Sequence, residues 1–220
     1  MDKLRLRFEK TGKAVYISHL DLMRVVQRVF LRAGVPLRYS EGFNPHALIS
    51  ICLPLPVGTA SLCELMDFRV TEDIDLLSLP ERLNAVSPVG VRFLECYEPS
   101  RKAAGLKWLE IRGDWEYDGR AASQFSAGVE EFFNRGNIPV TRRTKRGEGE
   151  FDLAAHMRGF AVEAEEGETL AVRAFVSAQE PTVKPELLPE ALRELAPELA
   201  PDFARFTRLE TYGADMEIFR

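Results

Sequence analysis

Cysteine and histidine are both scarce, at three each in 220 residues. Cys52, Cys63 and Cys96 are odd in number and widely spaced. They form no C-x-x-C and no C-x-x-x-C-x-x-C, which argues against a disulfide framework, a cysteine zinc site and a cysteine-held iron–sulfur cluster. Such residues read as small buried core groups in a reducing compartment. Long apolar runs are also missing. None nears the roughly 18 residues that a membrane helix needs, and the first ten residues alternate charge with leucine where a signal peptide would be apolar. The expected location is therefore cytoplasmic, with no membrane partner. Also absent are G-x-x-x-x-G-K-[ST], G-x-G-x-x-G at a strand-to-helix junction, H-E-x-x-H and G-x-S-x-G, so no nucleotide, zinc or acyl-transfer signature identifies an active site. No cofactor and no metal is expected.

What is present is unevenly placed charge. The chain carries a net −5, yet residues 1–47 hold nine Lys or Arg against Asp2, Glu9, Asp21 and Glu41, a net +5, which leaves −10 for the rest. A basic segment on an acidic protein points to a localised face for phosphates.

Within that segment the residues predict a helix. Ser18 is a candidate N-cap with Asp21 three positions on, and Gly34 followed by Pro36 ends it. Leu22, Met23, Val26, Val29, Phe30 and Ala33 form one apolar stripe, while Arg24, Arg28 and Arg32 recur every four residues as a ladder, with Arg38 just beyond. No acid on the helix sits four residues from Arg28 or Arg32. A solvated charged face is the plain reading of any one arginine; three in register point to an anionic partner.

The loop Ser40-Glu41-Gly42-Phe43-Asn44-Pro45-His46 suits a ligand. Gly42 admits close approach to the main chain, Phe43 offers a face on which a base stacks, and Asn44 and His46 offer hydrogen bonds. The alternative is an ordinary connection with Phe43 in the core. His19, Asp21 and His46 are the candidates for general acid–base work, although their spacing fits no ligand motif. Farther on, Arg142, Arg143 and Lys145 repeat the basic theme at a strand end, with Asp152 a possible partner across the turn Gly147-Glu148-Gly149. The expectation is that these cations converge on one groove, where they and Phe43, Asn44 and His46 bind nucleic acid.

The chain in order reads strand, helix, strand, strand, helix, strand, and then again after a Pro/Ser/Gly-bearing linker. The predicted organisation is α+β: two tandem ferredoxin-like (βαββαβ) halves packed together, residues 1–98 and 106–220 around the linker 99–105. The second half is irregular near residues 152–158. Helices are predicted over 75–86, 121–134 and 185–195, among others.

Four segments carry a resemblance: Phe8, Lys10 and Gly12; Tyr16 to Arg24; Arg32-Ala33-Gly34-Val35-Pro36; and Ser40 to His46 with Leu55-Pro56-Val57-Gly58. With these the sequence resembles the bacterial radical-S-adenosylmethionine-linked family of unknown function. Members of that family are fused to, or encoded beside, cobalamin-binding radical enzymes, often near ribosomal protein and ribonuclease genes. The resemblance implies an accessory protein that binds RNA or presents a substrate to a radical S-adenosylmethionine enzyme in RNA or ribosome-related metabolism. Lacking the cluster cysteines, the chain is not expected to be that enzyme itself. Two alternatives stand: an RNA endonuclease or other hydrolase using His19, Asp21 and His46, and a protein-interaction domain that binds no nucleic acid. The double ferredoxin-like plan is also that of CRISPR repeat-processing RNA endonucleases, an analogy of fold alone.

Overall fold

The computed structural model describes residues 3–144 and 147–220. The architecture is mixed α+β and mostly sheet, with ten strands and four α-helices among the described residues. The chain divides into two compact units, one running to Gly105 and including Arg220, the other Leu106–Phe219.

The first unit comprises β1 (Leu4–Lys10), α1 (His19–Arg32), β2 (Ile49–Ile51), β3 (Ala60–Phe68), α2 (Leu79–Asn84) and β4 (Val91–Tyr97). Its strands lie in the order β4-β1-β3-β2, each pair antiparallel. Alternation along β1 sends Leu4, Leu6 and Phe8 to one face, where all three are buried. The stripe of α1 packs there: Leu22, Val26, Val29 and Phe30 are buried, and the Phe30 ring meets Phe68 edge-on at 5.1 Å. Burying each of these side chains contributes about 1.5–3 kcal/mol, which decides the helix's orientation.

The ends of α1 are set locally. Ser18 Oγ accepts the Asp21 N–H at 3.2 Å, and the chain leaves the helix through Gly34 at φ +65°. Ser18→Ala should therefore lower stability by about 1 kcal/mol in urea titration, with unchanged m-value. By contrast, α2 is shorter than the predicted 75–86, because the Asp75 side chain accepts the Leu77 N–H at 3.1 Å and Pro80 sits in the first turn. That Asx turn holds residues 75–77 out of the helix.

The second unit comprises β5 (Trp108–Glu116), α3 (Ser126–Phe133), β6 (Pro139–Thr144), β7 (Gly147–Asp152), β8 (Met157–Glu166), β9 (Thr169–Ser177), α4 (Leu187–Leu195) and β10 (Phe203–Tyr212). Its sheet has the order β10-β5-β9-β8, again antiparallel, and the hairpin β6–β7 is inserted between α3 and β8. Set the hairpin aside and the chain visits its sheet in the same sequence as in the first unit. Trp115 is fully buried beside Phe133, which stacks on Phe160 at 4.4 Å.

Two local expectations change here. Gly147, Glu148 and Gly149 form no turn; they lie in β7 opposite Thr144, Arg143 and Arg142. Asp152 makes no ion pair among the described residues, the Arg143 side chain and Lys145 lying outside them. Its Oδ1 accepts the N–H groups of Ile138 at 2.9 Å and Ala154 at 3.1 Å, which caps the short turn separating β7 from β8. No helix among the described residues is long and apolar enough to cross a membrane.

Candidate nucleic-acid interface

The arginine ladder rises on the outer side of α1. Arg24 is not available as a lone cation: its Nη1 is 2.8 Å from Asp21 Oδ1, with both groups exposed. The Ser18 hydroxyl, and after it Arg24, hold the Asp21 carboxyl below its ordinary range. Arg28 and Arg32 are exposed, with no ion pair among the described residues. Leu20 and Leu31 share a strip beside them and stay exposed at 68% and 78%, so this face mixes charge with apolar surface.

Past Gly34 the chain builds the loop. Arg38 donates its N–H to Arg69 O at 2.8 Å, Arg69 donates to Leu48 O at 3.2 Å, and Leu48 donates to Arg38 O at 2.8 Å. This closed set of backbone bonds fixes the stem and brings Arg38 beside Arg69. Both arginines are exposed, without an ion pair among the described residues. The loop above is tied across its mouth by Ser40. Its backbone N–H reaches His46 O at 2.9 Å, its hydroxyl accepts the His46 N–H at 3.1 Å, and the hydroxyl lies 2.9 Å from His46 Nδ1. With Nδ1 engaged, Nε2 is the ring nitrogen left for a ligand. Gly42 sits at φ +121°, which the tip requires of a residue without Cβ. Phe43 does not plug the core: its ring is as exposed as in an extended chain, at 112%, and Asn44 is exposed beside it.

Next to the loop lies an open groove of about 400 Å³, lined by Lys3, His46, Ala47, Leu48, Ile49, Ser50, Asp67, Phe68 and Arg69. Beside it sits a polar cluster. Arg5, which alternation along β1 places on the face opposite Leu4, Leu6 and Phe8, is nonetheless fully buried, donating Nε to Asp67 Oδ1 at 2.7 Å and Nη2 to Oδ2 at 3.2 Å. Lys3 Nζ reaches the same carboxylate at 2.9 Å. Burial opposes ionisation of Asp67, yet the hydrogen bonds from Arg5 and Lys3 prevail and hold it below the usual carboxylate range. Burial, reinforced by Asp67, pushes the nearby Cys52 thiol up to about 12, so it stays protonated and is a poor nucleophile at neutral pH.

The arginines do not share one groove. Phe68 and Val70 face the core with α1, so Asp67 and Arg69, alternating with them, face the other side of the sheet. The ladder and the groove are thus on opposite sides of the first unit, with the Ser40–His46 loop at its edge. Nor do the acid–base candidates assemble. His19 and Asp21 head α1, His46 is bound to Ser40, and no hydrogen bond joins the three among the described residues. Among those residues no group of three or more His, Cys, Asp or Glu is placed to hold a metal ion.

In the second unit, Arg142 lies over the Phe151 ring at 4.9 Å and donates to Thr182 O at 2.7 Å, while Phe151 stacks on His156 at 4.8 Å. This pins the hairpin to its unit. Lys145 and the Arg143 side chain lie outside the described residues. On the face of the second sheet opposite Trp115, Arg173 pairs with the buried Glu110 and with Glu163, Tyr212 donates to Glu110 at 2.8 Å, Arg205 pairs with Glu116, and Arg158 covers the Trp108 ring at 4.1 Å. The pairs Arg173–Glu110, Tyr212–Glu110 and Arg205–Glu116 did not stand out in the sequence, because each joins strands distant along the chain.

No curated protein matches this chain. Among solved structures, a chain of the crystal structure of a Cbf5-Nop10-Gar1 complex is similar, with 9% identity, a TM-score of 0.50 and 94% of the present chain covered. The match takes in 48% of that chain, so the present one spans about half its length, and at this identity the likeness is one of fold. The model of a family described as uncharacterized protein conserved in bacteria (DUF2344) matches residues 3–185, and the chain belongs to that family.

Proposed function

We propose that this protein is a non-catalytic RNA-binding module, built from two ferredoxin-like halves, that serves a radical S-adenosylmethionine enzyme in the cytoplasm. Phe43 carries the reading: an aromatic ring wholly in solvent, on a loop tied at its base, with Arg38 at the stem and without an ion pair among the described residues. A loop that orders a fully exposed ring loses little entropy when a base stacks on it. Arg38 on the groove side and Arg28 and Arg32 on the helix side supply cations for the phosphates of a strand that crosses the unit's edge at the loop. The partnership with a radical enzyme rests on the sequence resemblance alone.

Titrating fluorescently labelled single-stranded RNA into the protein tests this. Phe43→Ala should weaken binding by about 5- to 100-fold, the range for one lost base–aromatic stack. Equal affinity of the variant and the parent removes the reading.

A second reading concerns α1, where exposed Leu20 and Leu31 share a strip beside Arg28 and Arg32. Leucine beside arginine suits a protein surface with acidic residues at its rim. Co-purification of partners before and after nuclease treatment separates the two: a partner kept after nuclease docks by protein contact.

A further inference from the structure

We infer that the groove beside β2 is a nucleotide pocket, taking one base against its apolar wall and the attached phosphate on Arg69. This deepens the RNA reading and rests on it. The chemistry follows from the lining. Ala47 and Ile49 turn their side chains into the core, so Leu48, alternating with them, supplies the apolar surface of the groove, and a volume of about 400 Å³ suits a single nucleotide. The charge at the mouth is cationic on balance. Asp67 is the carboxylate in the lining, and the buried Arg5 and the lining residue Lys3 already neutralise it. Arg69 is left exposed without an ion pair among the described residues, and Arg38 is tied to it through the backbone.

The groove is also preorganised for such a ligand. His46 lines it and has Nδ1 engaged by Ser40, so its Nε2 is placed to hydrogen-bond a base edge or a ribose hydroxyl. The Arg38–Arg69–Leu48 ring of backbone bonds holds wall and cation in one geometry, which lowers the ordering cost of binding. Phe43 and the groove residue His46 belong to one loop.

The test uses the full chain with nucleoside 5′-monophosphates, the matching nucleosides and inorganic phosphate as separate probes. Binding is followed by backbone amide shifts and by calorimetry. Monophosphates should shift the amides of Leu48, Ile49 and Arg69, and bind more tightly than either nucleoside or phosphate alone. Arg69→Ala should weaken monophosphate binding by about 10- to 100-fold, as expected for one charge-assisted contact, and Arg69→Lys should restore part of it. His46→Ala should weaken nucleoside and monophosphate alike.

Three results overturn the inference: no monophosphate binding, binding indifferent to Arg69→Ala, or phosphate alone binding as tightly as the nucleotide. Selective binding of an extended peptide along β2 in place of nucleotides would do so as well. RNA affinity measured on the same variants keeps the two proposals apart. RNA binding that depends on Phe43 but not on Arg69 leaves the RNA reading intact and removes only the pocket.

Discussion

Asp67→Ala should cost this protein about 3–5 kcal/mol, a large share of the 5–15 kcal/mol that typically holds a domain together. The reason is asymmetric. The substitution removes the carboxylate on which Arg5 Nε and Nη2 both converge and leaves a guanidinium buried in the first unit without that countercharge. A buried pair is weak evidence of net stabilisation, but half of one is strongly unfavourable. Replacing both partners with apolar residues of similar volume, Arg5→Met with Asp67→Leu, should recover most of the loss. Urea denaturation of the single and double variants measures this, and a loss under about 1 kcal/mol for Asp67→Ala would mean that solvent reaches the pair. The pH dependence has a definite sign. Because the folded Asp67 is held below its ordinary range, its contribution is fully present above the unfolded value of about 3.9 and is lost as pH falls through the lower folded value. The stability gap between the parent and Asp67→Asn should therefore narrow only below about pH 4.

Arg5 also marks what a sequence can and cannot convey about this fold. Alternation along β1 correctly separated Leu4, Leu6 and Phe8 from Arg5, Arg7 and Glu9, but a period of two names two faces without saying that the second is wet. Arg5 is buried because Asp67, sixty-two residues away, lies opposite it in the register, and no local signal encodes that pairing. Helix α1 was legible because its determinants are local: a cap, a stop and a stripe within seventeen residues. In the hairpin β6–β7, by contrast, Gly147 and Gly149 carry the composition of a turn while serving as strand, and Asp152 makes a cap where a charge pair was expected. The loop from Ser40 to His46 was readable as to its residue types and as to Gly42. That Ser40 and His46 close it, and that Arg38 and Arg69 meet at its stem, are products of the register. The ladder misled for another reason. Its spacing placed three arginines on one helix face, and only the i,i+3 neighbour Asp21, a signal in the sequence but outside the ladder, showed that Arg24 is engaged; spacing does not tell which side of the sheet the other cations occupy.

Removing Arg28, Arg32 and Arg38 together should lower the slope of log affinity against log salt for single-stranded RNA by about 2, and reduce affinity near 0.1 M salt by about tenfold or more. Each phosphate neutralised on a single strand releases about 0.7 of a counterion, so three contacts predict the change in slope directly. Arg24→Ala is the internal control. Its guanidinium already has Asp21 at 2.8 Å, so its loss should change the slope far less than that of Arg28 or Arg32. Phe43→Ala should act in the opposite pattern, lowering affinity while leaving the slope in place, because stacking releases no counterions. The two families of variants thus separate the electrostatic from the stacking contribution in one set of titrations. A triple variant with an unchanged slope would detach α1 and Arg38 from RNA and assign their charge to a protein surface, where binding would instead track the acidic residues of the partner.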